Sequence, residues 1–163
     1  MGSFNIMSNC CNGEVERHQN NCPVDGSKGS PVPTITLKSL LKPLSLENLE
    51  AEQPYFFCAS TSCPIVYFNK NGSLFNLENL KVPVTLKSES AETPVCYCFG
   101  WSRDRIKQTI QQTGKANTVE ELILAHIKAK RCGCEVNNPQ GRCCLSDIRK
   151  VVEQVCHKLA ARD

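Results

Sequence analysis

A chain of 163 residues with a formal charge of +3 and scattered basic residues has no concentrated electrostatic footprint for nucleic acid. It contains no apolar run near the roughly 20 residues that span a bilayer, and its opening MGSFNIMSNCCNGEVERHQN lacks the apolar segment of a secretory signal. Its twelve cysteines are therefore expected in a reducing cytoplasm, where thiols ligate metals more often than they pair.

In chain order, residues 1–20 read as a disordered tail, polar and without periodicity. Within it, Met7, Cys10 and Cys11 form a soft-ligand group suited to copper(I), set against a simpler reading as reactive thiols in a loose segment. Residues 21–88 read as a small β-rich module, with strand-like runs at 34–37, 55–57, 65–68 and 74–75. Asn71-Gly72 between the last two predicts a hairpin. The polar stretch SESAETP, residues 88–94, reads as a linker. Residues 95–163 change to helical patterning. Ser102 caps a helix to about Thr113 that Gly114 ends. Thr118 and Glu121 form a capping box for a second helix to about Ala129, striped by Val119, Leu122, Ile123 and Ile127. Leu145, Ile148, Val152, Val155 and Leu159 mark a third from about Cys144. The expected fold class is α+β, a β-rich module followed by an all-helical domain over residues 95–163.

Cys58-x4-Cys63 lies between two strand-like runs, so its turn presents both thiolates to one point, as structural zinc requires. Cys22-Pro23-Val24-Asp25 offers a second pair at i, i+3 spacing. Cys22, Asp25, Cys58 and Cys63 together make a sound S3O zinc site, although Asp25 before Gly26 also reads as an ordinary turn residue. Cys10, Cys11 and His18 are substitutes for the fourth ligand.

In the second half four cysteines stand out: Cys96 and Cys98 in VCYCFG, Cys134 in CGCEVNNPQG, and Cys144 in RCCLSDI. The first pair is placed before one helix and Cys144 at the start of another. Free amides and partial positive charge at helix starts would stabilise an anionic cluster there. Cys132 and Cys143 are rivals in this spacing, and zinc on the same four thiolates is an alternative.

The run VCYCFGWSRDRIKQTIQQTG resembles bacterioferritin-associated ferredoxin-like (BFD-like) domains. The segments YFFCASTSCPIVYF, VPVTLK, PVCYCFGWS and CEVNNPQGRCCLSDI resemble the N-terminal portion of CopZ-type copper chaperones, from about Cys22 to the end of the chain. That resemblance implies a zinc-binding module followed by a BFD-like domain holding one [2Fe-2S] cluster on Cys96, Cys98, Cys134 and Cys144. Cys132 is then an extra, and Cys143 a small buried hydrophobe. It also implies one-electron transfer linked to copper homeostasis, with a redox partner protein such as a separate copper chaperone or reductase. No C-x-x-C occurs in these residues, so the copper(I) hook of the family's heavy-metal-associated domain is missing here, and copper binding is left open. Arg103, Arg105, Lys130, Arg131 and Arg142 flank the cysteines and either dock an acidic partner or form a solvated face. The alternatives are an electron donor for iron mobilisation and a non-redox zinc adaptor. No nucleophile elbow, phosphate loop or dinucleotide fingerprint points to an enzyme.

Overall fold

The aromatic and β-branched runs Tyr55–Phe57 and Ile65–Asn69 form strands β2 and β3, buried along their whole lengths. They are the centre of a four-stranded antiparallel sheet, flanked by β1 (Ser30–Val32) and β4 (Leu74–Asn76) in the order β1-β2-β3-β4. The computed structural model describes residues 20–162. Met7, Cys10, Cys11 and His18, and nearly all of the expected tail, lie outside the described residues. β3 and β4 meet at the Asn71-Gly72 turn, where Gly72 takes a φ of 91°, as the hairpin signal predicts.

Alternation along the sheet divides its residues between two faces. Tyr55, Phe57 and Tyr67 join Leu37, Leu41, Leu80 and Val84 in one core. Phe56 and Phe68 point the other way and pack with Cys22, Cys58 and Cys63. Gly29 lies against this second face, because a Cβ there would stand 2.5 Å from Phe68 Cζ and 2.8 Å from Phe56 Cβ. Gly29→Ala is expected to cost about 1–3 kcal/mol through overpacking, read as a lower urea midpoint at constant slope.

The strand expected at 34–37 is a helix: α1 spans Thr34–Leu40. Thr36, Leu37 and Leu40 are its buried residues, an i, i+1, i+4 set that only a helix turns to one side. Packing has overridden the β-preference of Thr34, Ile35 and Thr36. A further short helix, α2 (Pro43–Leu46), follows.

The second unit is not all-helical. It opens with a hairpin of β5 (Pro94–Cys96) and β6 (Trp101–Ser102), which carries the first cysteine pair. Val95, Cys96 and Trp101 on this hairpin enter the helical core, so its strands are fixed from behind rather than by sheet pairing alone. The helices are α3 (Arg103–Thr113), α4 (Thr118–Lys128), α5 (Cys134–Asn137) and α6 (Leu145–Ala160). Ser102 Oγ accepts from the Arg105 amide and Gly114 ends α3 at φ 65°, as predicted. For α4 the cap is Asn117, whose amide donates to Glu121 at 2.6 Å. Leu122, placed on the apolar stripe by the sequence, is 46% exposed, while Val119 and Ile123 are buried.

Candidate metal centres

The first centre is built from two turns on one face of the sheet. Cys58 continues β2, its amide donating to Val66 O at 2.9 Å, and Cys63 lies just before β3. Cys22 sits in a turn closed by Cys22 N to Ser27 O and Gly26 N to Cys22 O, both 2.8 Å, and Gly26 takes φ 73° to allow it. The ligand atoms of Cys22, Asp25, Cys58 and Cys63 all lie within 4.8 Å of one another. The Cys22 and Cys63 sulfurs are 3.8 Å apart, which matches the edge of a tetrahedron with metal–sulfur bonds of about 2.3 Å. The three cysteines are buried over Phe56 and Phe68, and Asp25 closes the solvent side.

Asp25 is both ligand candidate and turn former. Its Oδ1 accepts from the Ser27 amide at 3.0 Å and the Ser27 hydroxyl at 2.7 Å, and stands 4.0 Å from Cys58 Sγ. Hydrogen bonds from Ser27 and Ser60 hold its carboxyl well below the usual carboxylate range, so it presents a full anion. Burial pushes the Cys22 thiol up to about 11, against the opposing pull of the Val24 and Asp25 amides. Burial also raises Cys58, but the Ser27 hydroxyl, the Ser60 amide and the Lys87 charge outweigh it and leave that thiol lowered. Lys87 Nζ ties the knuckle down through Ser60 O and Cys63 O at 2.5 and 2.9 Å. Ser27 and Lys87 were invisible in the sequence, since neither has a spacing signature. Asp25→Ala is expected to weaken zinc binding at least about tenfold by competition with a chelator, and Asp25→Cys to strengthen it.

The second centre gathers the four cysteines singled out in the other half. Cys98 Sγ and Cys134 Sγ are 3.7 Å apart. The thiols of Cys96 and Cys134 and that of Cys144 perturb one another's proton affinity. One contact and these mutual influences link the four thiols in the order Cys96–Cys144–Cys134–Cys98, with Cys96 and Cys144 buried and Cys98 and Cys134 half-buried. Sharing of the Cys144 proton draws the Cys96 thiol down to about 7 and the Cys134 thiol down to about 6, and raises Cys144 itself. Burial raises Cys98.

Backbone amides surround this row: those of Phe99 and Cys98 face Cys96, that of Cys144 faces Cys134, and that of Gly133 donates to Cys98 at 3.3 Å. Asn137 Nδ2 adds a contact to Cys98 at 3.6 Å. Cys144 is the N-cap of α6, as expected. The first pair departs from expectation: Cys96 and Cys98 lie on the β5–β6 hairpin, seven and five residues before α3, so their amides come from a tight turn and not from a helix start. Asn138-Pro139-Gln140-Gly141 turns as predicted, closed by Gly141 N to Asn138 O at 2.8 Å.

Cys132 and Cys143 are exposed. Cys143 is thus not the buried hydrophobe expected, because its neighbour Cys144 takes the inward position. Of the flanking arginines, Arg103 bonds Thr85 O and Ser90 O, Arg105 covers Trp101 at 3.9 Å, and Arg142 bonds Gln140. These three are engaged in holding the fold. His126 stacks on Phe99 with ring centroids 4.4 Å apart, a contact that the helix pattern alone did not indicate. Among the described residues no helix is long and apolar enough to cross a membrane.

Residues 19–81 match a protein-family model described as a zinc binding domain, of the CopZ type. The chain is 32% identical over 123 residues to the copper chaperone CopZ of Archaeoglobus fulgidus; the match takes in 76% of this chain and 57% of that protein, so the chain spans little more than half the length of this curated relative. In fold it is similar to the X-ray structure of the A. fulgidus CopZ N-terminal domain, with a TM-score of 0.67 and 29% identity over 80% of this chain and 96% of that one.

Proposed function

The chain is a relative of the N-terminal portion of CopZ-type copper chaperones, and we propose that it holds one structural zinc ion and one [2Fe-2S] cluster and passes single electrons in copper homeostasis. Zinc is assigned to Cys22, Asp25, Cys58 and Cys63, whose spacing and donor set fit a tetrahedral ion. The cluster is assigned to Cys96, Cys98, Cys134 and Cys144. What supports this assignment is the 3.7 Å approach of the Cys98 and Cys134 sulfurs beside the Gly133 amide and the Asn137 side chain, together with the mutual pull between Cys144 and the Cys96 and Cys134 thiols.

A [2Fe-2S] cluster supplies one-electron transfer there. The protein's own groups define how. The pull of Cys144 lowers the Cys96 and Cys134 thiols, which would favour the thiolate form that a metal ligates. The amides of Cys98, Phe99, Gly133 and Cys144 point at sulfur and favour added negative charge. Trp101 and the buried Cys96 and Cys144 belong to the apolar core and exclude water from the inner side. The half-buried Cys98 and Cys134 form the outer edge, and a redox partner approaches there. Arg131, beside His126 on α4's far end, supplies positive charge on that side for an acidic partner.

The test is anaerobic purification followed by metal and sulfide analysis. About two irons, two sulfides and one zinc per chain are expected. A colourless protein with zinc at both centres and no sulfide overturns the redox assignment and leaves a zinc adaptor.

A further inference from the structure

We propose that the zinc-binding unit is the frame that sets the second cysteine centre: it grips the segment bearing Cys134 and the residue between Cys96 and Cys98, so that the second centre is ordered only while the first is intact. The proposal rests on the reading of those four cysteines as one metal site.

The Cys134 segment is not self-supporting. α5 has four residues, a single turn that water would melt on its own, and beyond the Asn138 N–H that bonds Cys134 O no helix continues to pair the carbonyls of Glu135 and Val136. α1 supplies them. Thr36 Oγ1 donates to Glu135 O at 2.6 Å, and Ser39 Oγ donates to Val136 O at 2.7 Å. Beyond α5 the buried Tyr67 of β3 donates its hydroxyl to Pro139 O at 2.7 Å, and burial raises the Tyr67 pKa, so it stays a donor. Gly141, at φ 66°, fits so closely against the first unit that a Cβ would come within 2.6 Å of Pro33 Cδ and 2.9 Å of Thr36 Oγ1. The same segment reaches Cys98 from its other side through Gly133 N and Asn137 Nδ2.

The Cys-Tyr-Cys turn is gripped too. Tyr97 donates its hydroxyl to Pro83 O at 2.5 Å and accepts from the Thr85 amide at 3.0 Å. Val84, between them, lies in the core under β3. Three of the four cysteines are thus positioned by hydrogen bonds from the first unit, across 12 to 99 residues of sequence.

The experiment uses the full chain, comparing Thr36→Val, Ser39→Ala and Tyr67→Phe with Tyr55→Phe. The last loses a hydroxyl bonded to Ser73 within the first unit and serves as the control. Amide hydrogen exchange over residues 133–138 and the rate of iron loss to a chelator are both read, with zinc content checked. In the first three variants exchange over 133–138 and iron loss are expected to rise about tenfold, with zinc retained, since each leaves a carbonyl unpaired. Tyr55→Phe is expected to leave both unchanged. Selective zinc removal from the unaltered chain is expected to raise the same exchange. Unchanged exchange over 133–138 in Ser39→Ala and Tyr67→Phe, both fold-conserving, overturns the frame. Raised exchange in a chain that carries no iron or sulfide supports the frame and refutes the cluster reading instead.

Discussion

Complete removal of zinc, or Cys58→Ser, is expected to unfold the first unit. Among the described residues its second core, under Cys22, Cys58 and Cys63, holds Phe56, Ile65 and Phe68 besides the thiols. Apolar burial of that size does not hold three buried cysteines and two turns together in a unit of roughly 70 residues. Structural zinc in comparable modules contributes on the order of 10–16 kcal/mol of apparent free energy, more than the whole stability of most small domains. Far-UV circular dichroism on chelation should therefore lose its strand component, and the thermal transition should fall or broaden into two. An unchanged spectrum after verified zinc removal would show that the sheet stands without the metal.

Replacing Cys98 or Cys134 with serine is expected to abolish stable iron binding, while Cys132→Ser and Cys143→Ser leave iron at its normal content. Cys98 and Cys134 are only half-buried, so their loss removes proposed ligands without opening a cavity in the core. Cys132 and Cys143 are exposed neighbours of the ligands in sequence. The contrast between ligand and neighbour isolates geometry from cysteine content. Iron per chain and visible absorption give the readout; equal iron in all four variants would remove the assignment.

Both candidate centres were legible in the cysteine spacing, for a physical reason. A tight turn brings residues up to about five apart to one point regardless of the rest of the fold, so Cys58 with Cys63 declare themselves locally, whereas Cys96 and Cys98 announce a centre by their spacing but reach each other only through Cys134 and Cys144. Asp25 was legible as a candidate because it occupies the i+3 place of its turn, and the structure brings its carboxylate to the three sulfurs. The helices were equally plain where capping and periodicity agreed, as at Ser102 and Gly114. Failures came where tertiary contacts decided. Thr34 to Leu37 carry β-preferring residues, yet α1 forms because Thr36 and Leu37 are buried together and Thr36 bonds Glu135. The β5–β6 hairpin is too short to show as alternation. Its strands exist because Val95 and Trp101 enter the helical core. The grip of Tyr67 and Tyr97 across the two units spans 72 and 12–14 residues, and no local pattern encodes such a contact.

The most direct measurement is electron paramagnetic resonance of the anaerobically purified chain before and after dithionite. A red-brown protein, silent when oxidised and showing close to one unpaired electron per chain when reduced, is the predicted result. A colourless protein that stays silent on reduction would contradict it.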